Sequence, residues 1–177
     1  MSQVSEMISP RPKSWFAVHT RSRHEKRVVA QLQEKKICSF LPLQGQSHRW
    51  SDRNSVVCVP LFPSYAFVQI DSCGEERLAV LRTQGVITFV GNQGAGSPIP
   101  AKEIEDIGRI IAGEIPFTLT AHKEGQRVRI RGGVLEGVEG LLVTSDNRHS
   151  LAVSIELLRR AVTVRLDGYD VEPVGPN

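Results

Sequence analysis

The chain has 177 residues, 40% of them hydrophobic, and its 22 Lys and Arg against 19 Asp and Glu leave a formal charge of +3. That length suits one medium domain or two small ones, each with its own core, and so near-neutral a balance does not by itself demand a polyanionic partner. The three cysteines, Cys38, Cys58 and Cys73, form no C-x-x-C pair and suit a reducing cytoplasm, and no apolar run reaches bilayer-spanning length, so neither a disulfide framework, a zinc knuckle, export nor membrane insertion is expected.

Residues 1–13, with Ser, Gln, Pro and charge, read as a loose leader. Order begins at SWFAVHT, residues 14–20, a strand with Trp15, Ala17 and His19 on one face and Phe16 and Val18 on the other. SRHEKRVVAQLQEKKI reads as a helix: Ser22 and Glu25 have the spacing of a capping box, and Val28, Val29, Leu32 and Ile37 approximate an apolar stripe. A basic cluster overlaps its start, with Arg11, Lys13, Arg21, Arg23, Lys26 and Arg27 against the single acid Glu25. Such a cluster can meet phosphate or simply form a solvated face.

SFLPLQGQSHRWSDRNSVVCVPLFPSYAFVQI reads as two extended segments joined by a polar, basic loop holding His48, Arg49, Trp50 and Arg53. Its last part, PLFPSYAFVQI, sets Phe62 between Pro60 and Pro63 and then places Tyr65 and Phe67 on one side, a pattern that a buried central strand does not explain. A second helix, opened by Asp71 or Ser72 with Glu75 three residues after the serine, carries Leu78, Val80 and Leu81 and stops near Gly85. GVITFVG is a short strand and GNQGAGSP a turn. SPIPAKEIEDIGRIIAG supplies a third helix, with Pro100 in its first turn and Ile104, Ile107, Ile110 and Ile111 on one face. The alternation of strands and helices makes residues 14–112 an α/β sandwich.

Periodicity lapses in GEIPFTLTAHK, which places a linker at 113–122. Residues 123–177 hold five short alternating runs, QRVRI, GLLVT, LAVSIEL, AVTVRL and VEPV, separated by Gly, Asp and Asn. Strands so short must curl into a compact barrel to bury one face.

SWFAVHTRSRHEKRVVAQL, PLFPSYAFVQI and GVITFVG, in this order and spacing, resemble the N-terminal (NGN) domain of the NusG family, and PLFPSYAFV is particularly similar to the corresponding strand of its specialised paralogue RfaH. EGQRVRIRGGVLEGVEGLLV resembles a KOW motif in an SH3-like barrel, with Gly140 at the hallmark glycine; that motif also occurs in RNA-binding ribosomal proteins. The resemblance covers roughly residues 14–174. It implies an α+β fold, a mainly antiparallel NGN sandwich with flanking helices followed by a small barrel.

For function, the resemblance implies a monomeric, cytoplasmic transcription elongation factor, associated with the nucleoid through RNA polymerase. It would suppress pausing and promote processive elongation or antitermination. His19, Phe62, Tyr65, Phe67, Ile104 and Ile107 would line a depression that receives the clamp helices of the polymerase largest subunit, His19 standing where RfaH has tyrosine. Aromatic residues suit such an anchor because they bring large, rigid contact area. Arg21 and Arg23, with Arg77, Arg82, Thr83 and Gln84 on or after the second helix, would face the upstream fork or the displaced non-template strand. Gln84 or Thr83 would supply any reading of an exposed base. Trp50 with Arg49 and Arg53 either stacks a base or folds onto its own strand.

In the barrel, Leu135 and Val138 stand where general factors dock the termination factor Rho or a small-subunit ribosomal protein, and Val138 replaces an aromatic. That departure and the RfaH-like strand imply a specialised, operon-specific antiterminator. The barrel half reads consistently as strands with no competing helical periodicity, so refolding into a helical hairpin is not expected. No nucleophile elbow, zinc-protease or Walker signature is present, and the spacing of His19, His24 and His48 specifies no metal site, so neither catalysis nor a cofactor is expected. The competing class is a KOW-type, ribosome-associated RNA-binding protein, which would need its basic residues on the barrel rather than in 11–27.

Overall fold

The structure is a computed structural model, and it describes residues 12–50, 53–71, 74–121, 125–145 and 148–174. The N-terminal sheet runs β2 (Cys38–Phe40), β5 (Tyr65–Ile70), β1 (Ser14–Thr20), β6 (Val86–Phe89), with β7 (Pro98–Ile99) also paired to β1 and every pairing antiparallel. Alternation along β1 divides the side chains as its sequence predicts. Phe16 and Val18 join Val28, Val29 and Leu32 of α1 (Glu25–Glu34) and Val80 of α2 (Glu75–Leu81) in one core layer. Ala17 and Phe67 belong to the opposite face, which is covered by α3 (Ala101–Ala112) through Ile104, Ile107 and Ile110. One sheet therefore has helices on both sides.

Several local expectations give way to tertiary contacts. The capping box of Ser22 and Glu25 does not form: His24 occupies the N-cap of α1 without a side-chain cap, and the buried Glu25 carboxylate instead accepts the Ser64 N–H at 2.7 Å. Ser64 has φ 67°, a left-handed conformation that a non-glycine residue holds only when its surroundings demand it. Glu25 and the bond from Thr20 N–H to the Ser64 carbonyl, 2.8 Å, pin the Pro63–Ser64 turn, while Tyr65 N–H donates to Phe62 O. The odd PLFPSY sequence is thus a braced turn that throws Phe62 inward and delivers Tyr65 to the start of β5. In α2 the N-cap is Gly74; Ser72 lies outside the described residues.

β3 (Leu43–Trp50) and β4 (Arg53–Pro60) form a two-stranded hairpin in register up to Trp50 opposite Arg53. The basic stretch expected as a loop is accordingly strand as far as Trp50 and again from Arg53. The side chains of His48, Arg49, Trp50 and Arg53 lie outside the described residues.

The C-terminal sheet has six strands in the order β13 (Asp170–Pro173), β9 (Gln126–Arg131), β10 (Glu139–Ser145), β11 (Arg148–Ile155), β12 (Arg160–Arg165), β8 (Phe117–Ala121). Each of the five runs expected as strands holds one, although LAVSIEL leaves its strand at Ile155 and ends in a short 3-10 helix, Glu156–Leu158. The sixth, β8, pairs antiparallel with β12 and takes residues that the sequence pattern assigns to a linker at 113–122, which corrects that boundary. Gly140 is required by close approach: a Cβ there would stand 2.5 Å from the carbonyl oxygen of Ala152 on the neighbouring strand. Together the two halves are the α+β sandwich and small β domain read from the sequence.

The halves pack on one another through α3. A single apolar cluster runs from Phe62, Phe67, Ile104 and Ile107 to Leu135, Val138, Leu151 and Val153 of the barrel. At its edge Lys102 Nζ donates to Gly137 O (2.8 Å), Arg109 Nη1 to Glu136 O (2.8 Å), Glu139 N–H to Asp106 Oδ2 (3.1 Å) and Glu156 N–H to Glu103 Oε2 (3.3 Å).

Candidate functional site

Of the six residues expected to line the aromatic depression, two remain half open to solvent. His19 on β1 and Tyr65 on β5 sit directly opposite in the antiparallel register, with ring centroids 5.5 Å apart and planes tilted by 34°. Trp15 and Phe40, which the sequence pattern did not bring into the set, are partly buried and pack against the same cluster as Tyr65. Alternation signals Trp15, which shares the His19 face of β1; Phe40 is placed by the pairing of β2 with β5, Phe40 opposite Phe67. The other four are core. Phe67 is wholly buried, Phe62 meets it edge-on at 5.9 Å, and Ile104 and Ile107 are buried where α3 lies on the sheet. They shape the site from beneath rather than presenting a surface.

A second group gathers where the turn after β1 meets the turn after α2. Arg21 N–H donates to Gly85 O at 2.8 Å, so the two turns are locked together, and Arg21, Arg23, Arg82 and Gln84 are exposed on them. Gly85 has φ 104°, and a Cβ would press on Val28 and His24 at 3.0 and 3.2 Å, so only glycine lets the turn approach α1 this closely. Two of the expected nucleic-acid residues are placed elsewhere. Thr83 is buried, donating its hydroxyl to Ala79 O (2.8 Å) and accepting from Lys35 Nζ (2.7 Å), which corrects its reading as a base contact. Arg77 lies over the Phe89 ring, its guanidinium carbon 4.2 Å from the centroid, with Nη2 donating to Gly94 O at 3.4 Å; the cation is committed to the fold. Sequence reasoning missed Gln31 and Lys35 here, although their spacing from Arg27, one turn each, was visible.

The third group is the barrel loop 132–138 with the first residue of β10, Glu139. Leu135 and Val138 are fully buried, and the loop backbone is held by Lys102, Asp106 and Arg109 of α3. The surface expected to receive a partner is thus covered by α3 within the chain. Burial pushes the Glu103 carboxyl up to about 7, a shift opposed in part by the bond from Glu156 N–H, and burial also raises Asp106 against the pull of Lys102. A cavity of about 110 Å³ between α3 and the barrel is lined by Lys102, Glu103, Asp106, Arg127 and Glu139 among others. That volume is well under the roughly 300 Å³ at which small-molecule sites begin. The polar side of α3 is where sequence reasoning was blind, because an Asp one turn from a Lys reads as solvated.

Comparison with known proteins gives a consistent result. The family described as "Transcription termination factor nusG" matches residues 13–108. The transcription termination/antitermination protein NusG of Borreliella burgdorferi is 26% identical over 182 residues, covering 92% of this chain and 99% of that protein. The protein of the same name from Lactococcus lactis is 29% identical over 178 residues, covering 92% and 94%. Among solved structures, "Domain interaction in Thermotoga maritima NusG" has the same fold, with a TM-score of 0.52 at 22% identity over 92% of this chain and 98% of that one.

Proposed function

The chain belongs to the NusG family of transcription factors, and from that premise we propose that it is a non-enzymatic elongation factor that grips RNA polymerase at the clamp helices of the largest subunit. The observation that carries the reading is the His19 and Tyr65 pair: two aromatic rings side by side and half open, with Trp15 and Phe40 partly buried nearby and Phe62 and Phe67 buried in the core they pack against. Rigid aromatics over a packed floor are what a small apolar anchor needs. By preferring the closed clamp over the open one, the protein shifts that equilibrium by its differential affinity, suppressing pausing and favouring antitermination.

Arg21, Arg23, Arg82 and Gln84 lie in this reading against the upstream fork or the non-template strand, in contacts that are mainly to phosphate and salt-dependent. The barrel engages Rho or a small-subunit ribosomal protein through the face around Leu135 and Val138, which requires it first to part from α3. The RfaH-like strand at 60–68 and Val138 at the position of the family's aromatic favour a specialised, operon-specific factor working in the cytoplasm.

Binding of the full chain to core RNA polymerase, with and without excess isolated clamp-helix fragment, tests this. The fragment is expected to compete, and Tyr65→Ala to weaken binding about tenfold or more, the loss of one interface anchor. Phe67 is unsuited to the test because it is wholly buried and its removal damages the core. Undiminished affinity of a folded Tyr65→Ala variant removes the proposal, and no binding at all turns the reading to structured RNA.

A further inference from the structure

Arg27, Gln31 and Lys35 lie one helical turn apart and form a single stripe along α1 and its C-cap. Each reaches the segment that joins α2 to β6. Lys35 Nζ donates to Ala79 O (3.1 Å) and to Thr83 Oγ1 (2.7 Å), Gln31 Nε2 donates to Gln84 O (3.2 Å), and Arg27 Nη2 donates to Gln84 Oε1 (2.9 Å). The backbone of the turn is therefore fixed from α1, and Arg82 and Gln84 are the residues it leaves exposed.

The bond to Gln84 carries chemical information. A guanidinium has donors and no acceptor, so the group of Gln84 that faces Arg27 must be its carbonyl oxygen. The oxygen keeps a second lone pair, but it is drawn toward Arg27, and the part of the amide that Arg27 leaves wholly unengaged is the NH₂, a donor. A glutamine free to rotate recognises adenine by giving one hydrogen bond to N7 and accepting one from the N6 amino group. With its oxygen turned toward Arg27 and already accepting from that cation, Gln84 is a poorer acceptor for the adenine amino group. Guanine presents two adjacent acceptors, O6 and N7, on the same edge, and a lone NH₂ suits them.

We propose that Arg27 is a positioning residue that sets the orientation of the Gln84 amide, so that this protein prefers guanine over adenine at the position of the displaced single strand that Gln84 touches. The inference rests on the proposed placement of this face against the non-template strand. It assigns Arg27 a role distinct from that of a phosphate contact. Removing a phosphate contact weakens binding almost uniformly across sequences and lowers the salt slope by about one. Removing an orienting donor changes the base profile.

The experiment uses the full chain bound to elongation complexes assembled on scaffolds in which each displaced-strand position carries guanine, adenine, thymine or cytosine in turn, with affinity measured at two salt concentrations. The expected result is one position at which guanine is preferred over adenine about fivefold or more. Arg27→Ala should abolish that preference while the thymine scaffolds are still bound, Arg27→Lys should retain it, and Gln84→Ala should remove it. The inference is overturned if no position discriminates, if adenine is preferred, or if Arg27→Ala lowers every affinity equally and leaves the profile intact. Failure of the wild-type chain to hold any elongation complex, the thymine scaffolds included, overturns the placement on polymerase and this inference with it.

Discussion

Replacing Asp106 with alanine should loosen the barrel from α3 while leaving both halves folded. Asp106 is 2% exposed; its carboxylate accepts from the Glu139 N–H at 3.1 Å and from the Lys102 ammonium, which in turn donates to Gly137 O. Hydrogen bonds to a charged group contribute about 1.5–3 kcal/mol each, and the deletion leaves the Glu139 N–H without its acceptor. Against this, alanine relieves the desolvation that raises the Asp106 pKa. The net cost to docking is about 1–2 kcal/mol, which is roughly a 5- to 30-fold rise in the population of the opened arrangement. Native-state hydrogen exchange reads that opening directly. Glu156 N–H is the reporter, since it donates to Glu103 on the preceding turn of α3 and is not itself a partner of Asp106. Its exchange should accelerate by that factor in Asp106→Ala and by less in Asp106→Asn, which keeps an acceptor oxygen. Amides inside the β11–β12 ladder should keep wild-type protection. Unchanged exchange at Glu156, or equal acceleration throughout the ladder, would refute the reasoning.

The same contact should respond to pH. Glu103, held at about 7 against an ordinary value of 4.5, binds a proton more tightly docked than opened, so its contribution to docking is complete below about pH 4.5 and is lost as pH rises through about 7. The raised Asp106 acts in the same direction. Nuclear relaxation of the two halves between pH 5 and 8 should show their tumbling become more independent as pH rises, with a flatter response in Glu103→Gln; identical profiles for the two proteins would sink the assignment. Gly140→Ala should destabilise the barrel by about 1–3 kcal/mol, because the added methyl meets backbone on β11 rather than a movable side chain, and an unchanged thermal melt would contradict the close approach of β10 to β11 at Gly140.

Much of the architecture was written in local pattern. Alternation along β1 separates Phe16 and Val18 from Ala17 and His19, the 3.6-residue period marks the buried face of α3, and five alternating runs after residue 124 are five strands. Each of these features depends on residues a few positions apart, and the chain states them directly. Gly140 was marked only by its resemblance to the KOW hallmark, and the structure supplies the reason, since no larger residue fits beside Ala152 on the neighbouring strand.

Tertiary structure decided which apolar faces stay open. Phe62 and Phe67 have the same type and spacing whether they line a surface or a floor; they are floor because α3 lies over them. Thr83 looked available until Lys35 and Ala79 closed on it, and Glu25 left its capping role for a backbone N–H on a turn 39 residues away. β8 escaped notice because its partner, β12, comes some forty residues later, and an edge strand carries only a weak alternating signal. Asp106 is the extreme case. Its sequence reads as a solvated helix face, and only the barrel folding back onto α3 takes it out of water. Periodicity specifies that a face is apolar or polar, but what covers that face depends on contacts between residues far apart in the chain, and those exist only in the folded protein.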